Sequence, residues 1–397
     1  MKRRTFLASL AGGLVIGRTS WRGQIAAAQE ASPVAAASAA AGATPVATMP
    51  PAPAGTEYFA TGLNNPRGLR FGADGALYVA EAGTGGDQYC AKGPEGDEIC
   101  YGATGSVARV APDGSLERTI TGLASSGAKG TGMNATGPHG IAFVNGDLYL
   151  VTGLGADPAA RKNLGPIGSE LGMLFKYANG ERSTVADVSA SEASANPDGG
   201  QIDSNPYAIE ALADGSFAVS DAGANAVFHV TADGTISTLA VFPDRQATLP
   251  DGSKAPMQAV PEALAIGPDG RLYVGQLTGF PFPVGGANVF VLPAAGGEPQ
   301  VFADGFTNII GIAFAPDQSL YVLEMVKGGL ANVNPQDPTT MEGQLTRVAP
   351  DGSKRIVAGA GTTMPTAVAI GPDKMIYLAN LGIMAGAASI VRMPLPA

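Results

Sequence analysis

Polar side chains that could do chemistry recur at one kind of place in this chain, the end of a short apolar strand pattern. Glu81, Thr152, Asp221, Gln276, Glu324 and Asn380 each follow a run such as Leu77-Tyr78-Val79 or Leu320-Tyr321-Val322. Strand side chains alternate with a period of two, so each of the six continues the face of its apolar neighbours. Three of them are carboxylates. A second column opens nearby strands: Arg67, His139, Tyr207, Glu262, Ile310 and Thr366. Glu81, Asp221, Glu262 and Glu324 could together hold a hard cation such as Ca²⁺, which takes several oxygen ligands. The structural alternative is that each polar strand end hydrogen-bonds the backbone of an adjacent loop, because buried backbone groups need partners.

Other chemistries are excluded by residue count and spacing. The chain has two histidines, His139 and His229, so a three-histidine zinc centre is impossible. It has no Gly-x-Ser-x-Gly elbow, no P-loop and no dinucleotide fingerprint. Asp74, Asp113, Asp269 and Asp351 each precede a glycine and read as turn residues. Cys90 and Cys100 are the two cysteines, in one Gly-rich stretch. Their spacing rules out a CxxC redox pair and predicts a local disulfide. No catalytic residue is assigned.

The elements that position these side chains form a repeat. Pro66-Arg67-Gly68-Leu69, Pro138-His139-Gly140-Ile141, Pro206-Tyr207-Ala208-Ile209, Pro261-Glu262-Ala263-Leu264, Ile309-Ile310-Gly311-Ile312 and Pro365-Thr366-Ala367-Val368 align. Each leads through a tight turn, often Asp-Gly or Asn-Gly, into a second strand, the strongest short-range hairpin signal. Third and fourth strands follow; Arg109 to Ser115 recurs letter for letter as Arg347 to Ser353. Six four-stranded units predict an all-β fold, a six-bladed β-propeller. The last unit stops after its third strand, at Ile390-Val391-Arg392, and Glu57 to Thr61 reads as the missing fourth strand that closes the ring. A pair of β-sandwiches would not explain six equivalent units. The tight turns share one face. The long connections share the other: 82–104, 153–171, 277–287, 325–342 and 381–388, with 122–137, 183–205 and 243–260. Binding concentrates on such loop-rich faces.

The first residues read as an address. Lys2-Arg3-Arg4-Thr5-Phe6-Leu7, a mildly apolar run and Ala26-Ala27-Ala28 have the order of a cleavable signal, and the arginine pair resembles a twin-arginine export signal. An ordinary secretory signal is the alternative. The apolar run is too short for a membrane span. Residues 1–28 are thus expected to be the signal, 29–55 an Ala/Pro-rich disordered tether, and 56–397 the propeller. The protein is expected in the periplasm or outside the cell. The net charge is −10, and the basic residues of the signal make the remainder more acidic still, which disfavours nucleic acid as a partner.

The centre of the chain is specific beyond its periodicity. Ile202-Asp203-Ser204-Asn205-Pro206-Tyr207, Ala218 to Asn225, Tyr273 to Pro283 and Asp304 to Asn308 strongly resemble the ScyD/ScyE family of exported, NHL-like propellers, over about Gly62 to Arg392. The resemblance implies the fold and the compartment, with a faint link to the pigment scytonemin, and carries no catalytic residue. Asn205, Tyr207, Asp221, Asn225 and Gln276 lie inside the matching motifs; with Arg67, His139 and Asn380 they are the expected ligand-binding residues. The expected function is a non-catalytic scaffold binding a small molecule, glycan or protein at the loop-rich face. The alternative is a Ca²⁺-dependent, gluconolactonase-like hydrolase, with Asn205, Asp221, Glu262 and Glu324 holding the metal that acidifies a water.

Overall fold

A computed structural model describes residues 51–93, 96–249, 251–293, 297–358 and 362–396. The chain is an all-β six-bladed propeller of antiparallel four-stranded blades. The first two strands of the blades are Pro66–Phe71 and Leu77–Glu81, Pro138–Val144 and Asp147–Thr152, Pro206–Ala211 and Phe217–Asp221, Pro261–Ile266 and Leu272–Gln276, Ile309–Phe314 and Leu320–Glu324, and Ala367–Ile370 and Met375–Asn380. The tight turns between them carry an aspartate whose carboxylate accepts the amide two residues on, as at Asp74, Asp214, Asp269, Asp317 and Asp373. In blade six the outermost strand is Glu57–Asn64, antiparallel to Ala385–Pro394. The signal and nearly all of the tether expected before it lie outside the described residues.

The core is a set of layers between blades. Leu77, Val79 and Val110 of blade one pack on Phe59, Leu63, Tyr377 and Ile390 of blade six. Phe217, Val219 and Phe228 of blade three meet Tyr149 and Val151 of blade two. Near the axis the first strands converge so closely that small residues are required. A Cβ on Gly68 would lie 2.2 Å from the carbonyl oxygen of His139. That contact explains the Gly/Ala column of the repeat without any functional role.

Three connections expected to be irregular contain regular structure. Residues 82–104 do not form a loop throughout: Glu98–Val110 and Leu116–Ala128 run for 13 residues each and extend blade one beyond its neighbours. A short strand, Tyr89–Lys92, pairs along this extension and places Cys90 opposite Cys100, which form the disulfide. The Gly-rich sequence hides the strand because glycine is a poor strand former. The connection 183–205 contains the helix Val188–Ala195, and 243–260 contains a hairpin, Arg245–Thr248 with Lys254–Met257.

The disulfide closes a short hairpin outside the six-blade core. Reducing it is expected to raise amide exchange over residues 87–104 and to cost that extension about 2–3 kcal/mol, while protection of the other five blades stays unchanged. Hydrogen-exchange mass spectrometry with and without reductant checks this.

Candidate functional site

The six polar strand ends are all buried, and each is engaged by main chain or by a structural partner. Glu81 accepts the amide of Asn64 at 2.7 Å and the hydroxyl of Ser106, and pairs with Arg118 through two bonds of 2.8 Å. Asp221 accepts amides from Asn205, Gly223 and Ala224 and the hydroxyl of Ser204. Glu324 accepts the amide of Thr307 at 2.7 Å and the side-chain amide of Gln344. Asn380 accepts the amide of Thr363, and Gln276 donates to the carbonyl of Ala259 while accepting from Arg245 and Asn288. Thr152 differs, donating to the carbonyl of Glu170 in the following loop and accepting the amide of Met173, which opens the next strand. Each of the other five has one main-chain partner just before the first strand of its blade: Asn64, Asn205, Ala259, Thr307 or Thr363.

These bonds decide the fate of the expected cation centre. Glu81, Asp221 and Glu324 each turn their oxygens to the loop of their own blade, and Glu262 belongs to a different column. The four are not brought together. Among the described residues no three His, Cys, Asp or Glu side chains converge to hold a metal ion. Two other expected ligand residues also bridge structure: Asn225 accepts the amide of Val260 and donates to Asp198, and Asn205 accepts the amide of Leu154. His229 bonds the hydroxyl of Ser216.

The second column behaves differently. Arg67, His139, Tyr207, Glu262, Ile310 and Thr366 form a collar around the axis, none more than 7% exposed. The first strands of all six blades line an axial cavity of about 450 Å³, and Arg67, His139, Tyr207, Glu262 and Ile310 border it. A second chamber of about 40 Å³ touches the same five residues and adds Asp203, Asn205 and Met325 from the loops. The collar therefore separates the axial cavity from the loop side. At the other ends of the strands Arg70, Phe71, Glu210, Ile266 and Ile370 are only half-buried. The cavity thus opens toward the face of the tight turns. There Arg70 ties three blades, bonding the carbonyls of Ile141 and Ile209 and the carboxylate of Glu210.

The collar holds two polar atoms with no partner. The Oε2 atom of Glu262 and the hydroxyl of Tyr207 are both buried and unpaired. Burial pushes the Glu262 carboxyl up to about 8, against a smaller opposing effect of the Arg67 charge. The acid is therefore neutral at pH 7 and can donate a proton. Burial, reinforced by nearby Glu262, raises the Tyr207 phenol above its ordinary range. His139 stacks on Tyr207 with ring centroids 4.7 Å apart and donates from Nδ1 to the carbonyl of Pro206 at 3.0 Å. Burial and the Arg67 charge hold its pKa down to about 3, so it stays neutral. Arg67 is anchored to the carbonyl of Ala135 by Nε and Nη2.

The expected ligand residues thus divide. Arg67, His139 and Tyr207 face the cavity; Asp221, Asn225, Gln276 and Asn380 support it. The sequence reading placed Glu262 only among metal ligands and passed over Asp203, although Asp203 lies inside a quoted motif. Burial pushes Asp203 up to about 7, with Asp221 adding a like charge.

Residues 255–280 match the family profile described as Strictosidine synthase-like, N-terminal. That segment spans the first two strands of blade four, with Glu262 and Gln276. No curated protein matches the sequence. Among solved structures, a protein of unknown function from Bacteroides thetaiotaomicron aligns with a TM-score of 0.51 at 9% identity, over 85% of this chain and 75% of that one. The calcium-binding protein regucalcin from Agrobacterium tumefaciens aligns at 0.47 and 12% identity, over 86% and 94%. Virginiamycin B lyase from Staphylococcus aureus aligns at 0.43 and 10%, over 84% and 96%. At such identities the likeness is one of fold. Among the described residues no helix is long and apolar enough to cross a membrane.

Replacing Glu324 by Ala leaves the buried amide of Thr307 unpaired and removes the better of the two acceptors of the Gln344 side chain. The expected loss is about 2–4 kcal/mol of stability. Glu324→Gln keeps an acceptor and should lose less than half of that. Urea unfolding of the two variants checks the ranking.

Proposed function

We propose that this protein is an exported binding propeller that takes a small molecule into its axial cavity and holds it on the polar floor made by Arg67, His139, Tyr207 and Glu262. One observation carries the reading. Glu262 and Tyr207 each present a buried, unpaired polar atom at the border of a cavity of about 450 Å³. Native proteins leave few such atoms unsatisfied, and an orphaned pair facing an open cavity is completed by what enters it. The volume lies in the range of small-molecule sites, and aliphatic first-strand residues such as Leu264, Ile312 and Val368 supply apolar walls.

The donors specify the ligand. A protonated Glu262 and the Tyr207 phenol both offer hydrogens, so the matching group is an acceptor oxygen, a carbonyl or hydroxyl, on an otherwise apolar body. The signal-like residues 1–28 and the disulfide support an oxidising compartment outside the cytoplasm. The resemblance of the central motifs to the ScyD/ScyE family supports the same compartment, and a pigment precursor would be one ligand of the required kind. A hydrolytic role for the same cavity would use Glu262 as a general acid, since its pKa of about 8 lies near working pH.

The test is a fragment screen on the mature protein by ligand-observed NMR. Neutral carbonyl or hydroxyl compounds are expected to bind, with affinity falling at least tenfold in Tyr207→Phe and in Glu262→Leu, which removes the donor. Affinity should also fall as pH rises through about 8, because Glu262 then loses the proton it donates. Compounds that bind with full affinity in both variants would place the site elsewhere. Turnover of a bound compound would shift the reading from binding to catalysis.

A further inference from the structure

The connection from blade two to blade three carries chemistry that neither the fold nor the axial cavity uses. The helix Val188–Ala195 ends at Asn196, which adopts a left-handed conformation (φ 38°) and donates its amide to the carbonyl of Glu192. The loop that follows is pinned at several points. Asn196 donates through Nδ2 to the carbonyl of Gly200, and Asp198 accepts from the Gly200 amide and from Asn225. Ser204 and the amide of Asn205 bind Asp221. Gly223 lies against the loop, where a Cβ would be 2.7 Å from the carbonyl oxygen of Asp203.

Within this small, held framework four buried oxygen atoms have no partner: both carboxylate oxygens of Glu192, Oδ1 of Asn196 and Oδ1 of Asp203. Glu192 is fully buried. The main-chain amide of Asp203 lies beside its carboxyl, and the like charges of Asp221, Asp198 and Asp203 bear on it. With both carboxyls ionised, all four orphaned atoms accept and none donates. In that state they cannot satisfy one another, and a water molecule brings two hydrogens without relieving the charge. A divalent cation does both, and what it would displace is a proton held between Glu192 and Asp203, both pushed up to about 7 by burial.

We propose that Glu192, Asn196 and Asp203 form a binding site for a hard divalent cation of the Ca²⁺ class. Glu192 and Asp203 supply carboxylate oxygens, Asn196 an amide oxygen, and main chain or water the remaining positions of a six- to eight-oxygen shell. Because no three acidic side chains converge there, the amide oxygen is a required member of the set. The site is separate from the axial floor but touches it, since Asp203 borders the small chamber above Tyr207 and Glu262. A bound ion would fix the segment Asp203-Ser204-Asn205 directly before the strand that carries Tyr207.

The experiment uses the mature protein stripped with chelator and titrated with Ca²⁺, with Tb³⁺ luminescence as a second probe of the same site. One ion per chain is expected, with a rise in Tm that saturates and is reversed by chelator. Glu192→Gln and Asp203→Asn, both close to isosteric, should each weaken binding at least tenfold, and Glu262→Gln should leave it unchanged. The proposal is overturned if neither Ca²⁺ nor Tb³⁺ binds the unmodified protein, or if binding survives in both Glu192→Gln and Asp203→Asn. Should a variant fail to fold, the chelator titration of the unmodified chain still decides the matter.

Discussion

One hydrogen bond, repeated in five of the six blades, fixes where the blade enters the channel wall. The polar side chain that ends the second strand reaches back to the main chain just before the first strand: Glu81 to Asn64, Asp221 to Asn205, Gln276 to Ala259, Glu324 to Thr307 and Asn380 to Thr363. At that point the chain must turn sharply from loop into strand. Asn65, Val260, Asn308 and Met364 do so with φ between 42° and 51°. Asparagine tolerates this conformation, but a β-branched valine is strained there by about 1–3 kcal/mol. Val260 is held on both sides, its amide by Asn225 and its carbonyl by the amide of Leu277. Two residues later stands Glu262.

The chemistry of the channel follows from that arrangement. The carboxylates that look available in sequence are engaged in holding loops, and each is satisfied there. The collar residues, placed one or two positions after the turn, receive fewer partners. Glu262 and Tyr207 are left with unpaired atoms beside a cavity, while His139 and Arg67 are locked by carbonyls. In the collar, the paired groups support the structure and the two unpaired ones face space that a ligand can fill.

The fold was legible because its signals are local and repeated: apolar alternation, Asp-Gly turns and a small residue third in each first strand. The disulfide was legible from two cysteines and their spacing. The sorting of the polar residues was not. Period two places Glu81, Asp221 and Glu324 in one ring, but it cannot say that their oxygens turn to amides 16 or 17 residues earlier rather than to a common centre. Nor does any pattern announce Glu192, which sits in an Ala/Ser-rich stretch that folds as a helix and is fully buried. The extension of blade one was hidden by glycines whose strand pairing is set by the neighbouring strands, not by their own preference.

The ionisation of Glu262 bears most directly on the view that the collar is a functional floor, distinct from the structural carboxylates around it. Carbon-13 NMR of the side-chain carboxyl, assigned by comparison with Glu262→Gln, follows that group alone through a pH titration. A buried, unpaired acid beside a cavity titrates near 8. A midpoint in the ordinary glutamate range, near 4 to 5, would mean that Glu262 is hydrated or paired like its neighbours, and the collar would then be scaffold like the rest of the ring.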